Sequence, residues 1–403
     1  MSPQQAFPNS ARIAVKLSKA GQRSVKQGHP WVFEDAIVKI SKEAQTGDLA
    51  VIFDNHTDKL IGLGYLDMES PIRIKVLHNQ GPATINKEFF QAKIEAARAK
   101  RSVLLETETN GYRLIFGEND GLPGLVIDIY AHVAVIKLYS GIWLQHLPWL
   151  PSYIAELCAS DAVVLRLSRN LERNTQQFKD GELHYGELED PVVQFKEHGL
   201  NFYANVIHGH KTGYFLDHRH NRKLIGDLAH SKDVLDVFAY AGGFSVHALA
   251  GGAKEVTSVD ISSQALALAR ENASANSFEG AHICLQGDAF EVLTQLIQQN
   301  KTYELVVIDP PAFAKQQSEI PGAKKAYRRL VLLGSQLVGP GGMLVIASCS
   351  SRISAGAFFD LVGETLKANG VAFKSWKQTS HDVDHPIGFK EGAYLKCGYY
   401  IFK

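Results

Sequence analysis

Hydrophobic positions follow three successive patterns along the 403 residues. From Ile13 to about His78 they alternate with polar ones over short runs. GDLAVIFDNHTDKLIGLGYLD and ESPIRIKVL read as strands parted by Gly-rich punctuation, as β-hairpins do. This predicts a small β-rich domain over 1–78, with its first dozen residues polar, Pro-containing and loose. From 79 to 190 the pattern is mixed. NKEFFQAKIEAARAKRSVL has Phe90, Ile94, Ala97 and Val103 at helical spacing with charges between them, which predicts an amphipathic helix. YRLIFGEND, GLVIDIY, HVAVIKLY and VVLRLS follow as strands, with a Pro-interrupted helix over Trp143–Leu157. We expect a central α+β module there.

From about Pro191 strands alternate with helices. DVLDVF, KEVTSVD, HICLQGD, YELVVIDPP and MLVIASCS are near-continuous apolar strands. Between them lie the helical FSVHALAGG, SSQALALARENASAN, AFEVLTQLIQQ and KKAYRRLVLLGSQLV, the last ending in GPGG, and after them AGAFFDLVGETLKANG. Strands apolar on both faces predict a parallel sheet covered by helices on both sides. VAFKSWKQTS and YLKCGYYIFK have no long helix between them, so an antiparallel pair at one edge is expected. The fold class for 191–403 is doubly wound α/β.

Composition removes several classes. With 45% hydrophobic and 21% charged residues, the chain is neither disordered, collagen-like nor a coiled coil. Forty-two basic residues balance forty-two acidic ones, so nucleic acid would have to be gripped by local patches and not by bulk charge. Cys158, Cys284, Cys349 and Cys397 stand far apart with no CxxC pair, against a disulfide framework or a structural zinc site. No membrane span is expected: the most apolar stretch, Leu122 to Tyr139, contains Asp128, His132 and Lys137, and a span needs about twenty mostly apolar residues. The N-terminus lacks an apolar signal core. These features predict a cytoplasmic protein with reduced thiols.

In doubly wound sheets, ligands bind beyond the carboxyl ends of the strands, where strand order reverses. The unusual residues of this chain stand there. The first strand runs into Asp236-Val-Phe238-Ala-Tyr240-Ala-Gly242-Gly243, where glycines allow a tight turn and close approach of a ligand to the backbone. The second ends in Asp260, placed to accept from both hydroxyls of a ribose. The third ends in Gly287-Asp288, which could take an adenine amino group, and the fourth in Asp309-Pro310-Pro311. A glycine pair alone would favour a plain helix-entry turn. Four successive acidic strand ends point to a nucleoside-containing cofactor. Phe238 and Tyr240 would crowd the pyrophosphate of NAD, which needs a glycine-rich turn. S-adenosylmethionine (SAM) has no pyrophosphate, and its cationic sulfonium suits acidic tips and aromatic faces.

Asp309-Pro310-Pro311-Ala312-Phe313 places a carboxylate, a stiff turn and an aromatic side by side, suited to holding a flat base; a core role for Phe313 is the bland reading. The fifth strand ends in Ala347-Ser348-Cys349-Ser350-Ser351. Most solitary cysteines are small buried hydrophobes, but small polar neighbours and a following helix N-terminus could make this thiol nucleophilic. The chemistry needing a thiolate here is methylation at C5 of a pyrimidine, a carbon that becomes nucleophilic only after addition at C6. Cys158, Cys284 and Cys397 read as structural. Before the first strand, His208-Gly-His210-Lys211-Thr-Gly213-Tyr-Phe215-Leu-Asp217-His218-Arg219-His220 offers H-x-H spacing without a supporting acidic or thiol cluster. No metal is expected, and a cationic lid over carboxylate and phosphate groups fits better.

HKTGYFLDHRHNR, LDVFAYAGGFSVHALAGGA, VDISSQALALARENASAN, VIDPPAFAK and ASCSS, in that order, resemble the RlmI-type large-subunit ribosomal RNA cytosine-C5 methyltransferases. GHPWVF, GDLAVIFD and GLGYLDMESPIRIKVL resemble that family's PUA domain, and GENDGLPGLVIDIY its central module. The resemblance implies a Rossmann-like class I SAM-methyltransferase domain with a mostly parallel seven-stranded sheet, an RNA-binding PUA-like domain, SAM as cofactor and a cytosine in 23S rRNA, free or in a large-subunit intermediate, as target. By motif, Lys211, Phe215, Asp217, Arg219, Asp236, Phe238, Tyr240, Gly242, Asp260, Ser262, Asp288, Asp309 and Pro310 would bind the cofactor. Cys349 would be the nucleophile, with Asp309 at the target base. Pro311, Phe313 and Lys315 would meet the substrate, as would a basic stripe of Arg12, Lys16, Lys19, Arg23 and Lys26, which is equally an ordinary solvated face. His218 departs from the family, where Gln is frequent, and the group that removes H5 is not evident. Methylation of uracil C5 or of an exocyclic amine, a non-catalytic RNA-binding assembly factor and an NAD oxidoreductase are the competing readings. The oligomeric state, with a homodimer among the options, is left open.

Overall fold

The computed structural model describes residues 10–403, so most of the loose N-terminal dozen expected above lies outside it. The chain divides into two compact units. The first takes in the chain up to Phe195 together with Ala204–Phe215 and Val383–Gly392; the second is Lys196–Tyr203, Leu216–Asp382 and Ala393–Lys403.

In the first unit, β1 (Arg12–Leu17), β2 (Trp31–Val32), β3 (Ile37–Ile40), β4 (Leu49–Phe53), β5 (Leu60–Leu66) and β6 (Ile74–His78) form one sheet in the order β2-β6-β5-β4-β1-β3. Two features differ from the sequence reading. A helix, α1 (Lys19–Lys26), follows β1, capped by Ser18, whose hydroxyl accepts from Gly21 N–H. The glycines read as punctuation lie inside β5, because a Cβ at Gly62 would stand 2.9 Å from Val25 of α1. The glycine lets the helix settle on the strand.

Helix α2 (Lys87–Leu105) starts at the cap Asn86. Its buried face is Phe90, Ile94, Ala97, Arg101 and Leu104, while Val103, expected inside, is 47% exposed. The reason is electrostatic closure. The Arg101 guanidinium forks onto Asp120 at 2.9 and 2.6 Å and donates to the carbonyls of Ala97 and Arg113. A paired arginine can occupy a core position that a lone charge could not. Beyond it, β7 (Gly111–Phe116), β8 (Leu125–Tyr130), β9 (Val133–Leu138), β10 (Ala162–Leu167) and β11 (Glu182–Gly186) form a sheet in which each strand lies beside the next in the chain, with α3 (Leu150–Cys158) and α4 (Arg169–Asn174) between strands. The short β11 was not legible in the sequence. A hairpin of β12 (Val192–Glu197) and β13 (Leu200–Asn205) follows, and the division between units falls inside it.

After its share of this hairpin, the second unit continues with α5 (Arg219–Leu228). Then come β14 (Asp233–Val237), α6 (Gly243–Ala250), β15 (Glu255–Asp260), α7 (Ser263–Ser274), β16 (Ala281–Gln286), α8 (Ala289–Gln298), β17 (Tyr303–Ile308), α9 (Ile320–Leu337), β18 (Val338–Ser348), α10 (Ala355–Ala368), β19 (Phe373–Thr379) and β20 (Lys396–Phe402). The sheet order is β16-β15-β14-β17-β18-β20-β19. The first five strands run parallel; β20 is antiparallel to both β18 and β19. The expected doubly wound, mostly parallel seven-stranded sheet with an antiparallel edge is therefore present. Gly339–Gly342, read as a helix stop, belongs to β18, with a register shift against β17. Leu235, Val237, Ile308, Leu344 and Ile346 join helix residues such as Leu293, Tyr327 and Phe358 in one core. Strand order reverses between β14 and β17, so the crevice lies at their carboxyl ends. Among the described residues, no helix is long and apolar enough to cross a membrane.

Candidate active site

Past β14 the backbone takes three left-handed steps, at Phe238 (φ 66°), Tyr240 (φ 47°) and Gly242 (φ 72°). For non-glycine residues this conformation costs of order 1 kcal/mol and persists only where the surroundings hold it. Here Phe238 and Ala239 N–H both donate to Val259 O. The Asp260 carboxylate accepts from Tyr240 N–H on one oxygen and from Ser262 N–H on the other, each at 2.9 Å. One side chain thus ties the turn after β14 to the turn after β15. Gly242 is required twice over, since its φ is left-handed and a Cβ there would lie 2.8 Å from Ala269 of α7.

Asp236 lies beneath this turn with no exposure. One of its oxygens accepts from Ser245 N–H and Oγ, at 3.1 and 2.6 Å; the other, Oδ1, has no hydrogen-bond partner among the described residues. Burial, aided by Asp309 and Asp260, pushes its pKa up to about 7 against the pull of Ser245. Ser262 caps α7, and Asp288 caps α8 through Oδ1 alone. Acidic groups, a strained turn cradled by glycine and an orphaned buried carboxylate oxygen fit a cationic, hydroxyl-bearing nucleoside ligand.

At the tips of β17 and β18 three side chains meet. Cys349 Sγ is 3.7 Å from His218 Nε2 and 3.8 Å from Asp309 Oδ1, and His218 Nε2 is 3.3 Å from the same Asp309 oxygen. His218 is buried, whereas the Asp309 side chain is 22% exposed and Cys349 half-buried. Burial alone would lower the pKa of His218; the neighbouring Asp309 carboxylate outweighs it and raises it. Asp309 N–H donates to Val237 O, which fixes this tip against the β14 turn.

The cysteine loop is tightly held. Ser348 Oγ accepts from Tyr327 OH, Ser350 Oγ donates to Ala314 O, and the buried Lys396 ammonium donates to the carbonyls of Ser350, Ile353 and Tyr394. Burial lowers Lys396 to about 8. Sequence reasoning missed Lys396; a lone lysine in the apolar run YLKCGYYIF is the signal that could have found it.

The remaining candidates have contacts of their own. Pro310 is buried, Pro311 and Lys315 exposed, and Phe313 packs edge-on against Tyr327 at 5.1 Å. Asp217 accepts from Tyr394 OH at 2.7 Å, and Arg219 pairs with Asp382 at 3.2 Å. Lys211 and Phe215 belong to the first unit, with the ammonium 4.4 Å from the ring centroid. Their segment is pinned to β8, since Thr212 Oγ1 donates to Asp128 and Tyr214 N–H to Tyr130 OH. Of the basic stripe, Arg12, Lys19, Arg23 and Lys26 are exposed; Lys16 pairs with Asp58 and Lys26 with Asp54. Cys397 is buried, and Cys158 and Cys284 are half-buried.

A doubly wound sheet whose acidic tips fit a cationic nucleoside, with a thiol beside them, defines a group-transfer enzyme of the methyltransferase class. Residues 134–390 match the S-adenosylmethionine-dependent methyltransferase family and residues 15–79 match a PUA-like domain. A relative from Deinococcus radiodurans, named ribosomal RNA large subunit methyltransferase, is 39% identical over 397 residues, covering 96% of this chain and 97% of that one. Another from Alteromonas mediterranea, named ribosomal RNA large subunit methyltransferase I, is 34% identical, with 96% and 98% covered. In fold, a solved chain from Streptococcus mutans superposes with a TM-score of 0.81 at 20% identity, covering 96% of this chain and 99% of that one. The chain belongs to the S-adenosylmethionine-dependent methyltransferases, in the family of these ribosomal RNA large subunit relatives, and S-adenosylmethionine is its cofactor.

Proposed function

We propose that the protein methylates C5 of a cytosine in 23S ribosomal RNA, by way of a covalent bond from Cys349 to C6. The observation that carries this reading is the position of Cys349 Sγ, at a strand tip, partly accessible and within 4 Å of both His218 and Asp309. Cys158 and Cys284 are also half-buried, so what singles Cys349 out is its place beside both His218 and Asp309 at the tips of the sheet.

Asp260 would hold the ribose, Asp288 the adenine, and Asp236, Phe238, Tyr240, Gly242 and Pro310 the rest of the cofactor pocket. Bound SAM supplies a methyl group on a cationic sulfur. The chain does the remainder. Asp309 holds the edge of the base, and Cys349 adds to C6, which places electron density on C5. Once C5 is methylated, loss of H5 and departure of the sulfur release the product. A base within a duplex must first be turned out of its stack, at a cost of a few kcal/mol, and the stiff Pro310–Pro311 turn with Lys315 gives it a rigid receiving edge.

We assign RNA recognition to the PUA-like region, within a division into 1–78, 79–190 and 191–403. Arg12, Lys19 and Arg23 are the cations of the stripe without a carboxylate partner among the ion pairs of the described residues. A neutral chain needs such a local patch for phosphate contact. Ribosomal RNA as substrate implies action in the cytoplasm.

Mass spectrometry of 23S rRNA from cells with and without the gene tests the reading. It requires one 5-methylcytosine to disappear. Loss of an N-methylated base or of 5-methyluracil would replace it, and unchanged RNA together with absent SAM binding would leave an assembly factor.

A further inference from the structure

His218 touches both reacting side chains, and its protonation state decides what it can do there. The state is set on the far side of the ring. His218 Nδ1 lies 3.1 Å from Asn221 Nδ2. The Asn221 amide is itself oriented, because its Oδ1 accepts from Thr379 Oγ1 at 2.6 Å and from Tyr399 OH at 2.8 Å. With the oxygen engaged by two hydroxyls, the amide nitrogen faces the imidazole and donates to it. Nδ1 is then an acceptor, and the single proton of a neutral ring sits on Nε2. That proton points at Asp309 Oδ1 and Cys349 Sγ, 3.3 and 3.7 Å away.

We infer that His218 acts in this site as a fixed hydrogen-bond donor, which holds the Asp309 carboxylate and stabilises the Cys349 thiolate, and not as the base that takes the thiol proton. The inference deepens the cysteine reading above and rests on it. His218 Nε2 keeps its proton throughout; the thiol proton leaves to water at the partly accessible Cys349 sulfur. Burial makes the donation count, since a hydrogen bond to a developing anion is strongest where water is excluded. The Asp309 carboxylate favours the protonated ring, in which Nε2 also carries a proton, so Nε2 is a donor toward Asp309 and Cys349 in either charge state; the other groups facing the ring are Phe244 from α6, its ring centroid 5.4 Å away, Asp217 on the same segment, and Arg222 and His220 on α5. A glutamine side chain ends in an N–H donor and has no titratable nitrogen. It can do what a fixed donor does and cannot do what a base does.

The test is alkylation of Cys349 by iodoacetamide across pH 5–10, on the full-length protein without RNA, with SAM binding as the check on folding. Wild type, His218→Gln and His218→Leu are compared. The expected result is one shared profile for wild type and His218→Gln, and slowing of about tenfold near pH 7 in His218→Leu, equal to about one unit of thiol pKa. A His218→Gln profile displaced as far as that of His218→Leu would overturn the inference in favour of a base. A His218→Leu profile equal to wild type would overturn it outright, as would alkylation that depends on added zinc, which would make the trio a cation site. Should His218→Leu not fold, the comparison of wild type with His218→Gln still decides. Because the readout uses no RNA, its failure is distinct from a failure of the cytosine reading, which mass spectrometry registers.

Discussion

Two clusters sit one helical turn apart in the second unit and do opposite things. At the start of α5, His218 meets Asp309 and Cys349 at 3.3–3.8 Å, with the carboxylate partly open to water. One turn on, Arg222 forks onto Glu197 with both contacts at 2.6 Å, and His247 closes the group at 3.0 Å with no member open to solvent. Each cluster is built from a carboxylate, a histidine and one further polar group. In the second, the carboxylate is engaged by short charge-assisted bonds and the group is complete. In the first, contacts are long, and sulfur and carboxylate retain capacity that a ligand can use. The comparison sets a fully paired cluster beside a loosely engaged one at successive turns of one helix; if the cysteine reading holds, the difference in pairing is what separates a stabilising cluster from a reacting one.

Substituting the sulfur should break the comparison at its reactive end with the largest effect. Cys349→Ser is expected to lower methylation by at least about 10⁴-fold, the scale seen when a covalent nucleophile is removed. Its unfolding free energy should stay within about 0.5 kcal/mol of wild type, and SAM should still bind. Turnover near wild type would remove the covalent step from the account.

The mirror experiment strikes the clamp. Glu197→Ala leaves Arg222 buried with its countercharge gone, which should cost about 3–5 kcal/mol in urea unfolding. Methylation per folded molecule at low temperature should remain within a few-fold. Loss of activity without loss of stability would show that the clamp belongs to the site after all.

The clamp also fixes a pH dependence, opposite in sign to that of His218, whose raised pKa favours the folded state at low pH. Burial alone would raise Glu197, but Arg222 and His247 override it and hold the carboxyl below its usual range; burial holds His247 below the ordinary imidazole value. Both groups therefore bind protons more readily in the unfolded chain. Their stabilisation is fully present above the unfolded imidazole value near 6.5 and is lost as the pH falls, first through His247 and then, below about 4.3, through Glu197. The slope is at most about 1.4 kcal/mol per pH unit for each group. Melting temperatures at pH 7, 5.5 and 4 should fall for wild type and fall less for Glu197→Ala. Equal slopes would place the acid sensitivity elsewhere.

The sequence showed the second unit and the residues at its strand tips far more clearly than the clamp. Strands apolar on both faces, alternating with helices, leave little freedom of topology, and residues at their carboxyl ends share a crevice by construction. Asp236, Asp260, Asp309 and Cys349 could be read for that reason. The clamp could not, since Glu197 in a short hairpin and Arg222 in a helix are joined by tertiary packing that no local pattern encodes. The same limit hid Arg101, a charge at a core position whose partner Asp120 lies nineteen residues on. It also hid α1, eight residues whose mean polarity resembles a turn. His218 was visible as a residue, but its chemistry depends on Asn221, Thr379 and Tyr399, and the last two come from the far edge of the sheet.

Asp260 sharpens the comparison from a third position, because its carboxylate is fully hydrogen-bonded by backbone and is still assigned a ligand. Both oxygens accept an N–H, from Tyr240 and from Ser262. Each carboxylate oxygen can accept a second bond, so the backbone contacts aim the group without exhausting it. Asp260→Asn has one carbonyl oxygen and must turn its amide N–H₂ toward one of those two N–H donors. Either the left-handed Tyr240 step or the start of α7 then loosens. Loss of the charge and of one anchor together should weaken SAM binding about tenfold, close to 1.4 kcal/mol. The rate at saturating cofactor should stay within a few-fold, because the reacting groups stand on other strands. Calorimetric titration with SAM and saturation kinetics measure the two quantities separately. An unchanged Kd would mean that Asp260 serves the turn alone, as Glu197 serves its clamp; a fall in rate at saturation would mean that the β14 turn also aligns the groups that react.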